Sequence, residues 1–260
     1  MNKVYKPSAV YAIMEHGGDY KAAARDLYHQ GYGDRMVEVE AQAEQVKVDS
    51  LFSSMMQTKF DVTAAIEEQE PILRFHAQHE EYPVAGRGMI GVFTGHEKSG
   101  KTFLLNHIAA SGVDYANPQL NFTLDLQGGQ LAYFDTEQSE TFYKLTQRRI
   151  HRLAGEMRNV ERYSAFALRR FAPADRLKLI EQYIYSNPAL TCVVIDGFVD
   201  LLSDYNNLGE VQALVGHLLR WSDERKILIM GVLHLNKRDG KIRGHLGSEL
   251  KNKCDFVITV

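Results

Sequence analysis

A glycine-rich stretch and three isolated polar residues in this chain have the types and settings that phosphate chemistry needs. Gly95-His96-Glu97-Lys98-Ser99-Gly100-Lys101-Thr102 fits the G-x-x-x-x-G-K-[ST] pattern without departure. In such a loop successive backbone N–H groups point inward, and the following helix adds the positive end of its dipole. Lys101 is placed to reach the β- and γ-phosphates of a nucleotide, and the Thr102 hydroxyl to coordinate Mg²⁺. ATP and Mg²⁺ are therefore the implied ligands, with nucleotide contacts running from Gly95 through Phe103. The alternative is a Gly-rich turn that holds nothing. The apolar run Met89, Ile90, Val92, Phe93 before the loop and the helical pattern after it argue against that.

Three further residues each close an apolar strand-like run. Asp196 ends Ala189-Leu-Thr-Cys-Val-Val-Ile, the setting of a carboxylate that orients a Mg²⁺-bound water beside a phosphate loop. A helix cap is the other use of an Asp there. Glu137 follows Gln130-Leu-Ala-Tyr-Phe-Asp135 and could polarise a water for in-line attack; a Glu at a helix start is also favoured by the dipole alone. His234 ends Ile227-Leu-Ile-Met-Gly-Val-Leu and could contact a γ-phosphate or the attacking water, or be structural. Lys101, Glu137 and His234 form the candidate catalytic set, and Thr102 and Asp196 the candidate metal set.

The elements that must position these groups alternate. Strands are expected near 71–76, 89–94, 130–135, 162–168, 189–196, 227–234 and 255–260. Helices are expected from Thr102 to a stop at Ser111-Gly112, from a Ser139 cap to about Glu156, over 174–186, 208–223 and 244–252. That alternation predicts an α/β fold with a central, mostly parallel sheet and right-handed crossovers. In open sheets of this kind ligands sit beyond the carboxyl ends of the strands. Residues 117–127 read as irregular.

Ahead of that domain, residues 1–35 read as a small helical hairpin, with Ser8 capping the first helix, a Gly17-Gly18 break and Asp19 capping the second. A helix-turn-helix is a weaker reading of the same pattern. Residues 36–70 read as a linker helix and connector, in which Val48, Leu51, Phe52 and Met55 share one face. The ATPase domain is expected over 71–260, cut short at its C-terminal end.

The combination Gly95–Thr102, Phe134-Asp-Thr-Glu137, Val193-Val-Ile-Asp-Gly197 and Gly231-Val-Leu-His234 resembles the RecA-like ATPase superfamily. The run His234-Leu-Asn-Lys237 with Arg243-Gly-His-Leu-Gly-Ser248 is similar to the RepA-like hexameric helicase group of plasmids and mobile elements. The resemblance covers residues 70–260 and implies a RecA-like P-loop NTPase core. It assigns Glu137 as catalytic glutamate, Asp196 as Mg²⁺-linked aspartate and His234 as γ-phosphate sensor. It also places Tyr143 and Arg148 against the adenine. Lys241 or Arg243 would reach a neighbour's nucleotide in trans or contact DNA; a trans arginine is worth roughly 10³–10⁵ in turnover. The activity so implied is ATP hydrolysis by a ring-forming, hexameric homo-oligomer acting as a DNA helicase on single-stranded DNA. An ATP-dependent loader or switch of the same fold is the rival, and a nucleotide-binding assembly module a third. The segment 16–33 resembles the stretch that joins a primase-like domain to a helicase-like one. A piece of a longer primase–helicase, or a short relative of one, is expected.

Composition narrows the class without choosing the partner. The 260 residues are 45% apolar and 24% charged with a net charge of −3, ordinary for a globular domain. No apolar run reaches the roughly 18 residues of a membrane span, so a cytoplasmic protein with no membrane partner is expected. Cys192 and Cys254 show no paired spacing and read as small core residues. Arginines concentrate between 148 and 176, and acids between 38 and 70. These runs are either solvated faces or contacts with polyanions or other subunits.

Overall fold

The computed structural model of the chain describes residues 6–32, 34–65, 69–114, 121–155, 160–235 and 244–260, with backbone alone for 34–41 and 244. The chain divides between Glu67 and Glu68 into two compact units.

The first unit holds α1 (Pro7–Glu15), α2 (Tyr20–His29) and α3 (Asp34–Gln57). Ser8 is not the cap of α1. Lys6 takes that position and Pro7 the first turn, where a fixed φ suits the helix and the missing N–H costs nothing. Asp19 does cap α2, its Oδ1 accepting from the Lys21 and Ala22 amides at 3.0 Å each. Tyr11 donates to Asp26 at 2.7 Å, and His16 lies 3.0 Å from the same carboxylate, which closes the α1–α2 pair. Val48, Leu51, Phe52 and Met55 on α3 remain exposed.

The second unit runs β1 (Leu73–Ala77), β2 (Glu80–Ala85), β3 (Ile90–Gly95), α4 (Lys101–Val113), β4 (Phe122–Leu124), β5 (Gln130–Asp135), α5 (Glu140–Ala154), β6 (Tyr163–Ala167), α6 (Pro173–Ser186), β7 (Leu190–Asp196), a 3₁₀ turn (Phe198–Leu201), α7 (Leu208–Arg225), β8 (Leu228–His234), α8 (Gly244–Lys253) and β9 (Phe256–Thr259). Six strands form a wholly parallel sheet in the order β6-β5-β7-β8-β3-β9. The fold is α/β, with helices on both faces of that sheet. The strand side chains alternate accordingly: Val193 and Ile195 join the α6–α7–α8 core around Trp221, while Cys192 and Val194 join the α4–α5 core around Ile108 and Ile150. Buried on both faces, these strands are near-continuous apolar runs.

Three expectations need correction. The segment near 71–76 is not a peripheral strand of the main sheet. It is the middle strand of a separate antiparallel sheet, β2-β1-β4. β1 and β2 join through Gln78 and His79, both at positive φ (51° and 69°), a primed hairpin turn made without Asn or Gly. The stretch expected to be irregular supplies the third strand, β4. Finally, Ser111-Gly112 does not end α4. Ser111 Oγ donates to Ile108 O at 2.8 Å and accepts from the Leu124 amide at 3.0 Å, fastening β4 to the helix. A Cβ on Gly112 would lie 2.9 Å from Leu124 Cδ2, so glycine serves close packing there rather than a stop. Among the described residues no helix is long and apolar enough to cross a membrane.

Candidate nucleotide site

The site assembles at the carboxyl ends of β3, β5, β7 and β8. Parallel register sets its frame, with Asp135 opposite Asp196 and Gly95 opposite His234. The loop after β3 is shaped by two glycines. Gly100 adopts φ 96° as it hands the chain to α4, a left-handed geometry that favours glycine. A Cβ on Gly95 would stand 2.4 Å from Val260 O and 2.6 Å from Ser99 Oγ. His96, Glu97 and Lys98 are exposed on the loop, between the half-buried Ser99 and the buried end of β3.

Lys101 is buried, and its Nζ donates to Gly95 O at 3.0 Å and His96 O at 2.6 Å. Burial pulls its pKa below the usual lysine value, against the opposing pull of Glu137, Asp196 and Glu97. Thr102 Oγ1 donates to Asp196 Oδ1 at 3.1 Å, and the Tyr133 hydroxyl donates to Asp196 Oδ2 at 3.0 Å. Burial, and then the neighbouring Asp135, push the Asp196 carboxyl up to about 6. A buried acid with a raised pKa is poised for a cation.

Glu137 Oε2 lies 3.9 Å from His234 Nε2. His234, then Lys101 and Arg169, hold the Glu137 carboxyl below its ordinary range in spite of partial burial. The carboxylate is thus kept ionised and able to accept a proton from water. The strand end carrying it is fixed by Asp135, whose Oδ1 accepts from the Glu137 and Gln138 amides at 3.1 and 2.8 Å.

Thr102, Phe103, Glu137 and Asp196 line one cavity of about 480 Å³ together with Phe142, Leu145 and Arg149. The Arg149 guanidinium sits over the Phe103 ring at 5.7 Å. Tyr143 is elsewhere: it lines a larger cavity of about 1100 Å³ with Phe134, Phe166, Arg169, Arg170 and Tyr183. Arg148 is exposed and is not among the residues lining the Thr102 cavity. Helical rotation accounts for the difference in lining, since Phe142, Leu145 and Arg149 share one α5 face, and Tyr143 and Arg148 fall off it. Lys241 and Arg243 lie outside the described residues. Ser139 stands at the start of α5, yet its hydroxyl makes no cap hydrogen bond, and Gly155 at φ 76° closes the helix.

Sequence reasoning passed over Tyr133, Asp135 and Arg149. A period-two count back from Glu137 reaches Asp135 and Tyr133, and the i, i+3, i+7 spacing of Phe142, Leu145 and Arg149 marks one helical face. Arg176, counted with the basic run, is withdrawn from it. Its guanidinium donates to Leu168 O, Arg169 O and Asp200 O at 3.1, 2.7 and 2.7 Å.

These residues fit ATP and Mg²⁺. A phosphate loop closed over a buried lysine, with the Ser99 hydroxyl buried and unpartnered beside it, abuts a Thr–Asp pair of the hard oxygen type Mg²⁺ prefers. A family model described as an AAA domain matches residues 81–240. The chain belongs to the AAA domain family. This AAA domain, a P-loop NTPase of RecA-like type, accounts for the wholly parallel sheet and for the placement of its site at the strand ends. Among curated proteins none matches the chain.

Proposed function

We propose that this AAA domain hydrolyses ATP as the motor of a ring-forming, hexameric DNA helicase of the RepA-like group, acting on single-stranded DNA in the replication of a mobile element or phage. The observation that carries the hydrolytic part is the meeting of Glu137 and His234 at 3.9 Å beside the Thr102–Asp196 pair. A module that only binds nucleotide has no use for an ionised acid held there.

In this reading the loop amides from Ser99 to Thr102 and the Lys101 ammonium bind the phosphates. Thr102 and Asp196 would hold Mg²⁺, which would supply charge neutralisation on the phosphates. Glu137 orients a water and takes its proton as the new P–O bond forms and the bridging oxygen leaves with ADP. His234 spans Glu137 and the γ-phosphate and reports which nucleotide is present. Lys241 or Arg243 reaches a neighbour's nucleotide or the DNA, and a primase domain is a partner in a longer protein. The run from His234 to Asp255 supports the helicase assignment by its resemblance to that group.

The test is ATPase rate against single-stranded DNA concentration, with native mass measured in ATP. The helicase reading expects stimulation of tenfold or more and a hexameric mass. A rate indifferent to DNA would replace it with the loader or switch of the same fold.

A further inference from the structure

Thr136 sits between Asp135, the last residue of β5, and Glu137, and it is buried at 1% exposure. Its hydroxyl lies 2.9 Å from Asp200 Oδ2, 2.9 Å from Asp196 O and 3.1 Å from Gly197 O. One hydroxyl proton serves one acceptor at a time, and an ionised carboxylate is the strongest of the three. Asp200 belongs to the 3₁₀ turn after β7, so its bond ties that turn to the peptide preceding Glu137. The turn is held from the other side by Arg176, whose guanidinium donates to Asp200 O at 2.7 Å.

Two glycines make room for this arrangement, one for the pair and one for the turn that carries Asp200. Gly197 adopts φ 121°, and a Cβ there would lie 2.4 Å from Thr136 Oγ1 and 2.7 Å from Asp200 Oδ2. Phe198 of the same turn rests on Gly231 of β8, where a Cβ would meet the ring at 2.3 Å. The turn is thereby located against β5, β8 and α6 together.

We propose that Asp200, acting through the Thr136 hydroxyl, is a positioning residue that sets where Glu137 stands relative to Lys101 and His234. It touches neither nucleotide nor water itself. The inference rests on the reading of Glu137 as the water-polarising acid. Its physical content is that the strand end is fixed twice, by Asp135 taking the Glu137 and Gln138 amides and by Asp200 taking the Thr136 side chain. Removing the second tie leaves the loop and Lys101 intact while Glu137 loses its direction.

The test compares Asp200→Ala and Thr136→Val with their conservative partners Asp200→Asn and Thr136→Ser in the full chain. The first two are expected to lower kcat tenfold or more with KM within twofold of the parent. Asn, which still accepts, and Ser, which still donates, should recover at least half the parent rate. The double variant Asp200→Ala/Thr136→Val should be no worse than either single one, because both remove the same tie. Hydrogen exchange gives a second readout that needs no turnover: the Glu137 and Gln138 amides should exchange about tenfold faster, while those of β7 hold. A kcat within twofold of the parent in Asp200→Ala or Thr136→Val, or unchanged exchange at 137–138, overturns the proposal. If Asp200→Ala fails to fold by circular dichroism, Thr136→Val decides alone. A parent with no ATPase activity would count against the hydrolytic reading instead, and the exchange rates would still decide the role of Asp200.

Discussion

His234 Nε2 and Glu137 Oε2 lie 3.9 Å apart although their strands, β8 and β5, are not neighbours; β7 runs between them. The two side chains meet at the carboxyl ends of the strands, the end of the sheet at which Asp196 also stands. A carboxylate and an imidazole thus share one space. Glu137→Gln keeps the size and the ability to accept from His234 but cannot take a proton. ATP binding should stay within about threefold of the parent, with turnover down by 10²-fold or more, measured by nucleotide titration and phosphate release. Turnover near the parent rate would move the base elsewhere.

His234→Ala should behave differently. It leaves the acid in place but removes the group that most strongly holds its pKa down. The acidic limb of the kcat–pH profile should therefore move to higher pH, with a smaller rate loss at its optimum than in Glu137→Gln. An unmoved limb would mean that His234 does not set the ionisation of Glu137.

Lys101 donates to two carbonyls of its own loop, so its removal costs the loop hydrogen bonds as well as a cation. Lys101→Ala is expected to weaken binding of a fluorescent ATP analogue by at least 100-fold. Burial already disfavours the charged lysine, so the melting temperature should fall by no more than a few degrees. Binding within tenfold of the parent would place the phosphates away from this loop.

Asp196 has its folded-state pKa raised to about 6, above the ordinary aspartate value near 3.8. Between those two values the folded protein binds more protons than the unfolded chain. Stability of the nucleotide-free protein therefore falls as pH rises through roughly 4 to 6 and stays reduced above it. Asp196→Asn removes that penalty. It should raise stability at pH 7.5 by roughly 1–3 kcal/mol and by much less at pH 4, as read by denaturant titration. A gain equal at both pH values would trace it to packing instead. The same substitution should abolish Mg²⁺-dependent turnover.

Gly231 is crossed by the fully buried Phe198 ring. Gly231→Ala forces that ring away in a packed core, at a cost of about 1–3 kcal/mol of stability. Because Phe198 carries the turn that holds Asp200, kcat should fall as well. Unchanged stability in a denaturant titration would show that the ring has room to shift.

Much of this molecule was legible without coordinates because its information is local. The loop Gly95–Thr102 is contiguous, and its whole pattern is complete within eight residues. β7 and β8 are unbroken apolar runs because both faces of a parallel strand are buried, and each run stops at the polar residue it delivers. The AAA domain's sheet, its helices and the identities of Glu137, Asp196 and His234 as strand-end residues followed from that periodicity.

What tertiary structure decided is everything that depends on distance between remote segments. The β1–β2 hairpin escaped notice because Gln78-His79 carries no Gly or Asn, and β4 because three residues hold too little pattern. Gly112 read as a stop because a sequence does not show that Leu124 packs against it. Periodicity groups Arg149 with Phe142 and Leu145, but only the rotation of α5 turned that face, rather than the one with Arg148, to the Thr102 cavity. The bond from Thr136 to Asp200 spans 64 positions and needs the β5–β7 register, a glycine at φ 121° and an arginine from α6 to exist. By itself the sequence determined which groups reach the strand ends, because strand periodicity is written residue by residue. Only the packed sheet decided which of them meet, because strand order and helix rotation are set by cores formed from every part of the domain.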